Sequence, residues 1–282
     1  MEFINIIGYG YVGGAMGYLC DQSGVNFCTC DVVSKNIENA QRNFNNIADL
    51  VKYSESNNDS NVYFVCVPTP SKASGECDTS IVESVLQQLH TSTGKSSIVY
   101  IKSTVEPGTS RRLSELYGAR FKVVFCPEFL RELTHLHDMY NANFVLLGTP
   151  AGEEDKEISC VFKQLYKHKK DFEIVFTTFE ESEMFKNTIN VFLAVKVWYF
   201  NKIHQMSSKI GFSYENLKRL FRLEPRIGES HTSVPGHDGL YGFGGSCLPK
   251  ETRSLCYMQN KLGLSNKVLS EILYENDLMR LN

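Results

Sequence analysis

The stretch "FINIIGYGYVG" constrains this chain more than any other. Phe3 to Ile7 reads as a short buried strand, and Gly8, Gly10 and Gly13 follow it at once in G-x-G-x-x-G spacing, where a helical pattern opens. The first glycine permits a tight turn, the second lets the backbone approach a pyrophosphate, and the third lets the helix lie close to the strand. The unpaired N–H groups and dipole at the helix start favour an anion. Phe27 to Cys30 reads as the next strand and Asp31 ends it, at the roughly twenty-residue distance where an acid accepts from ribose hydroxyls. The pattern reads as a dinucleotide site that prefers NAD, since Asp31 would repel a 2′-phosphate; Lys35, close by, tempers that preference. The other reading is a glycine turn that only packs helix on sheet.

The remaining chain alternates in the manner that this fingerprint requires. Apolar, β-rich runs recur at Val62–Val67, Ile98–Ile101, Val123–Cys126, Phe144–Leu147 and Phe172–Phe176, and most are separated by enough chain for a crossover helix. The expected architecture is α/β: a Rossmann-like, doubly wound, mainly parallel sheet in an NAD-binding domain over residues 1–179. From Glu180 to Ser208 apolar residues repeat at helical spacing without Gly or Pro, which predicts one long central helix. Shorter helical patterns at Tyr214–Arg222 and from Glu251 onward complete a smaller all-helical domain over residues 180–282. The polar run Ser54–Asn61 reads as a loop.

Composition excludes several partners. The chain has 282 residues, 42% hydrophobic and 22% charged, with a formal charge of −3, and it carries no run of five Lys/Arg. Nucleic acid and anionic membrane are not expected as partners. No run of eighteen apolar residues occurs, and the short apolar start lacks the form of a signal core. The nine cysteines are scattered without C-x-x-C or Cys/His ligand spacing, so reduced thiols in the cytoplasm, with no metal, are expected.

Two late features raise chemical questions. Cys247 stands in "GFGGSCLPKE" between a glycine run and a Leu-Pro-Lys-Glu turn. Taken alone it is either a small buried hydrophobe or a nucleophile. Lys186 and Asn190 are four apart in the long helix and share a face, either as solvated side chains or as paired donors to one oxygen.

The segments "GYGYVG", "VCVPTP", "KSTVEPGT", "CPEFLRE", "EMFKNTIN", "EPRIG" and "GFGGSCLPKE" occur in the order and approximate spacing of the UDP-glucose/GDP-mannose dehydrogenase family, which the chain therefore resembles. The resemblance implies oxidation of a nucleotide sugar, UDP-glucose first among them, by two hydride transfers to NAD with the intermediate held on Cys247. It implies Lys186 and Asn190 as donors to the sugar C6 oxygen, Glu128 as acid/base, Thr104 as the hydroxyl that orients water, and Glu251 beside them. Glu132, Phe129, Leu130 and Gly244 would bind substrate, the glycine by letting backbone approach the sugar ring. Arg226 would reach the substrate across a homodimer built on the long helix. Tyr11, Val12, Val67, Thr69 and Thr104 would join Gly8, Gly10, Gly13, Asp31 and Lys35 around the cofactor.

Three departures from the family pattern stand out. Glu251 replaces the family's aspartate, Leu133 replaces the glycine that ends "PEFLREG", and the sequence stops about where the family's C-terminal nucleotide-sugar domain would begin. A displacement of about 1 Å in a catalytic carboxylate can cost on the order of a hundredfold in rate. Two alternatives therefore stand beside UDP-glucose oxidation: another nucleotide sugar (GDP-mannose or a UDP-N-acetyl sugar), and a weakly catalytic NAD-binding or regulatory protein. A β-hydroxyacid dehydrogenase would share the domain order, but it needs no cysteine nucleophile.

Overall fold

A computed structural model describes residues 3–57 and 61–281. The first strands form because their sequences are apolar on both faces. β1 (Phe3–Ile7), β2 (Phe27–Cys30), β4 (Asn61–Val65) and β5 (Ser97–Ile101) are buried throughout, as strands covered by helices on both sides must be. With β3 (Arg42–Phe44), β6 (Lys122–Phe125), β7 (Phe144–Thr149) and β8 (Glu173–Thr178), they make one eight-stranded sheet in the order β3-β2-β1-β4-β5-β6-β7-β8. The ladder is parallel except where β7 runs antiparallel to β6.

Alternate side chains of the strands feed two cores. Ile4, Ile6, Val62, Phe64 and Tyr100 pack with α1 (Tyr11–Gln22) and α6 (Lys156–Leu165) on one face. Phe3, Ile7, Tyr63, Val65 and Ile101 pack on the other with α2 (Ile47–Asn57), α3 (Ser80–Ser92) and α4 (Thr109–Tyr117). A further short helix, α5 (His135–Tyr140), sends Met139 into the first core. The strand order reverses between β1 and β4, the switch point where ligands bind in such sheets.

The second part is helical: α7 (Phe179–Ile210), α8 (Tyr214–Phe221), α9 (Cys247–Lys261) and α10 (Lys267–Arg280). Two compact units result. One holds Met1–Pro70 and Asp78–Lys186; the other holds Ser71–Cys77 and Asn187–Asn282, so α7 ends the first unit and opens the second. Within the second, Ala194, Phe243 and Ile272 form one small core and Phe200, Tyr214 and Val234 another.

Four boundaries differ from the sequence reading. Ser54–Asn57 belong to α2 and Asn61 opens β4 instead of lying in a loop, with Ser54 buried and donating to Asn61; residues 58–60 lie outside the described residues. The segment Arg42–Phe44 adds an edge strand that three partly exposed residues could not announce. The helical pattern from Glu251 is two helices, parted where α9 ends at Lys261 and α10 begins at Lys267. The first of them starts at Cys247, four residues earlier than expected.

In the first core Phe64 is stacked on Tyr100 at 4.7 Å and edge-on to Phe162 at 6.1 Å. Phe64→Ala should lower the unfolding free energy by about 3–5 kcal/mol in chemical denaturation; a loss under about 1 kcal/mol would contradict this packing.

Candidate active site

The cofactor end is assembled at the switch point. Gly8 follows β1 with φ +86°, and a Cβ there would lie 2.7 Å from the Cys66 carbonyl and 3.1 Å from the Val67 side chain. The segment after β4 thus lies against the glycine turn. A Cβ on Gly13 would meet the Gly8 carbonyl at 2.0 Å, whereas one on Gly10 would meet nothing within 4 Å. The third glycine is therefore needed for helix packing, and the second leaves open space before the α1 N-terminus, which fits a pyrophosphate. No side-chain cap occupies that helix start.

Asp31 is already engaged. Oδ2 accepts from the Tyr9 N–H at 2.8 Å and from Lys35 Nζ at 3.0 Å, and Oδ1 accepts from the Val33 N–H at 3.0 Å. Burial pushes its carboxyl up, but the two N–H donors and Lys35 outweigh burial, so it lies below its ordinary range. Lys35 also donates to the Tyr9 carbonyl at 2.7 Å. It thus neutralises Asp31 and ties it to the glycine turn.

Further along the crevice, Thr69 Oγ1 donates to the Thr104 carbonyl at 2.8 Å and Ser103 Oγ donates to the Val67 carbonyl at 2.7 Å. These bonds hold the loops after β4 and β5 together and gather Val67, Thr69 and Thr104. Val12 packs on the first core, while Tyr11 is 62% exposed and meets the His135 ring edge-on.

The chemical end of the first unit centres on Glu128 and Lys186. Lys186 Nζ donates to Glu128 Oε1 at 3.0 Å with the lysine only 3% exposed, and the Leu130 N–H donates to Oε2 at 2.6 Å. Burial raises the Glu128 carboxyl, yet the charge of Lys186, the Leu130 and Lys186 bonds and the charge of Lys102 prevail, and the group stays ionised below its usual range. Lys186 Nζ also lies 5.6 Å from the Phe129 ring centroid, and Phe129 is wedged between Phe144 and Phe185. The bonds around Glu128 do not include Glu132, which opens the exposed 3-10 turn Glu132–Thr134 and accepts at its carbonyl from His135. Leu133 fits this turn without a positive φ, so losing the glycine introduces no strain.

Two neighbours, Lys102 and Glu183, stand in the segments "KSTVEPGT" and "EMFKNTIN", yet their residue types alone do not announce their places. Lys102 is buried beside Cys126, with Nζ 3.1 Å from its carbonyl. Glu183, on α7 one turn before Lys186, is fully buried and accepts from the Gly108 and Ser110 N–H groups at 2.7 Å each. It fastens the N-terminus of α4, directly after the "KSTVEPG" loop, to α7. An acid in an amphipathic helix reads as a surface residue, and only the fold puts it inside.

In the second unit, Asn190 Nδ2 donates to Glu251 Oε2 at 2.9 Å, and Glu251 is buried. The extra methylene is thus accommodated in a hydrogen bond. Cys247 opens α9 and is exposed, with Sγ 3.5 Å from Ser246 Oγ, while seven of the nine free cysteines are buried. The reading of Cys247 as a buried hydrophobe therefore fails. At Gly244 a Cβ would strike the Arg280 guanidinium at 2.6–2.7 Å, so protein fills the space that had been assigned to a sugar. Arg226 is exposed, forms a two-pronged bond with Glu224 at 2.8 and 2.9 Å, and lines a cavity of about 590 Å³ with Phe192, Trp198, Tyr199 and Phe221.

A switch-point glycine turn, an acid at the end of β2 and a buried ion pair between Lys186 of α7 and Glu128 of the segment after β6 define a dinucleotide-binding fold. Residues 2–170 match the UDP-glucose/GDP-mannose dehydrogenase family NAD-binding domain, and residues 180–277 match the family's central domain. The chain belongs to this family. It is 28% identical to a UDP-glucose 6-dehydrogenase of Rickettsia bellii over 97% of this chain and 66% of that protein. It is also 28% identical to a GDP-mannose 6-dehydrogenase of Pseudomonas aeruginosa, over 97% and 68%. The structure superimposes on a UDP-glucose dehydrogenase from the archaeon Pyrobaculum islandicum with a TM-score of 0.80 and 25% identity, covering 99% of this chain and 68% of that one. Among other curated relatives the chain spans 50% of one and 29% of another. Among the described residues no helix is long and apolar enough to cross a membrane.

Glu183 yields a pH test. Burial, against its N–H donors, pushes the carboxyl up to about 7, above the ordinary value of about 4.3 in an unfolded chain. The folded state holds this proton more tightly, so its contribution is complete below about pH 4.3 and is lost as pH rises through about 7. Between pH 5 and 8 the parent should therefore lose stability relative to Glu183→Gln in urea melts; a pH-independent difference would contradict the assignment.

Proposed function

We propose that this chain carries the NAD-dependent oxidation of a nucleotide sugar, UDP-glucose to UDP-glucuronate, through a thioester on Cys247. One observation carries the reading: α7 presents Lys186 and Asn190 one turn apart, each bonded to a buried or half-buried carboxylate. On this reading one cation and one amide, a turn apart on the same helix, serve one substrate oxygen.

NAD, when bound over Gly8, Gly10, Gly13 and Asp31, supplies the two-electron acceptor for each of two oxidations. The residues of this chain do the rest. In the first oxidation the C6 hydroxyl gives its proton to a base, with Glu128 in reach of that role through its Lys186 contact. The Cys247 thiolate then adds to the aldehyde carbon; a C–S bond forms and the carbonyl electron pair moves to the oxygen that Lys186 and Asn190 stabilise. After the second oxidation the adduct is a thioester. Glu128 releases its first proton to solvent, then takes one from a water oriented by Thr104; that water attacks the thioester, and the C–S bond breaks with its electron pair returning to Sγ. Phe129, Leu130, Glu132 and Arg226 are proposed to bind the sugar nucleotide.

The assembly proposed is a homodimer on α7. Phe192 is 64% exposed and Tyr199 is 52% exposed, so the helix leaves large apolar surface outside the unit's own cores. Nine free thiols suit a reducing compartment, and the cytoplasm is the proposed location.

A panel of UDP-glucose, GDP-mannose and UDP-N-acetyl sugars, assayed for NADH formation, tests the substrate class; no NADH from any of them would overturn it. Cys247→Ser should cut acid formation at least about a hundredfold while NAD and sugar nucleotide still bind. Normal acid formation by that variant would remove the cysteine from the reaction. Light scattering should give twice the 32.0 kDa chain mass at micromolar concentration, and a monomer would refute the dimer.

A further inference from the structure

The glycine-rich segment before Cys247 is gripped from one side by α10. Asn276 is 2% exposed and forms two bonds to a single residue: the Phe243 N–H donates to its Oδ1 at 2.6 Å, and its Nδ2 donates to the Phe243 carbonyl at 3.0 Å. That pairing copies what a neighbouring strand would offer the backbone. One residue earlier, the Gly242 N–H donates to Asn201 Oδ1 of α7 at 3.0 Å. One turn beyond Asn276, Arg280 lies under Gly244 and pairs with Asp238 of the same loop at 2.7 Å.

The fit excludes a side chain at Gly242 and crowds one at Gly244, where only the movable guanidinium end of Arg280 would have to shift. A Cβ on Gly242, whose φ is +75°, would lie 2.5 Å from Asn276 Oδ1, and a Cβ on Gly244 would lie within 2.7 Å of the Arg280 guanidinium. Asn276 and Arg280 are four apart on α10 and so project from one face. Both amides that hold the loop are uncharged at any working pH, whereas the Arg280 contact depends on an ionised Asp238.

We infer that α10 is the platform that sets the position of Cys247, with Asn276 and Arg280 as positioning residues, and that Gly242 is required by Asn276 while Gly244 leaves room for the Arg280 guanidinium instead of for the substrate. The inference rests on the reading of Cys247 as the nucleophile only where activity is the readout. A displacement of about 1 Å at that sulfur is enough to cost on the order of a hundredfold in rate.

The test is a size exchange in the full chain. Gly244→Ala alone should lower kcat for NADH formation at least tenfold with the KM for NAD unchanged, and adding Arg280→Ala should recover at least a third of the lost kcat by vacating the space. If the glycine served the sugar, the double variant would be no better than Gly244→Ala, and the inference would fall. A second measurement does not need activity. Asn276→Ala should speed amide hydrogen exchange in the peptide containing Phe243 about tenfold, while exchange in β1 and β4 stays as in the parent. Unchanged exchange at Phe243 would overturn the grip itself. A failed substrate panel with accelerated exchange would instead point to the catalytic reading as the one in error.

Discussion

The ion pair between Lys186 and Glu128 is the contact on which the proposed chemistry depends. Taking either charge out of water costs several kcal/mol, and the pair persists only because each group has what it needs nearby. Glu128 receives the Leu130 N–H as well as Lys186, and the buried ammonium of Lys102 adds its field. One carboxylate therefore faces two ammonium groups. Such a balance suits a site where negative charge must develop on a substrate oxygen, because the positive field is in place before the reaction starts.

The same logic recurs one turn along α7. Asn190 could turn its amide in several directions, but Glu251 fixes Nδ2 as a donor to itself and so orients the side chain. The longer acid in place of aspartate looked in the sequence like a displaced catalytic group. In the structure the carboxylate is buried and bonded at 2.9 Å. Glu183 adds a third carboxylate to α7, which seizes the α4 N-terminus and so couples the Thr104 loop to the helix carrying Lys186. Three acids thus act through α7, and each is satisfied by named donors.

What could be read in the sequence is what depends on local pattern. Strands buried on both faces appear as apolar runs, and the glycine turn with Asp31 carries its own spacing, so the doubly wound sheet and the dinucleotide end were legible. Contacts made across long sequence distance were not. Nothing near Gly244 announces that residue 280 will lie beneath it, and nothing near Glu183 announces that residues 108 and 110 will present two N–H groups to it. Lys35 was legible as a nearby charge but not as the partner that neutralises Asp31, because the loop that joins them has no repeating pattern. The edge strand Arg42–Phe44 was hidden for the opposite reason: three residues, partly exposed, are too few to show a period.

A double-mutant cycle on the central pair tests the account most directly. Unfolding free energies would be measured for Glu128→Gln, Lys186→Met and the double variant, each as the full chain. Each single change strands a buried partner and should cost about 3–5 kcal/mol, whereas the double change removes both charges and should cost clearly less than the two singles combined. Additive losses would mean that Lys186 and Glu128 do not depend on one another, and would contradict the placement of this ion pair at the heart of the site.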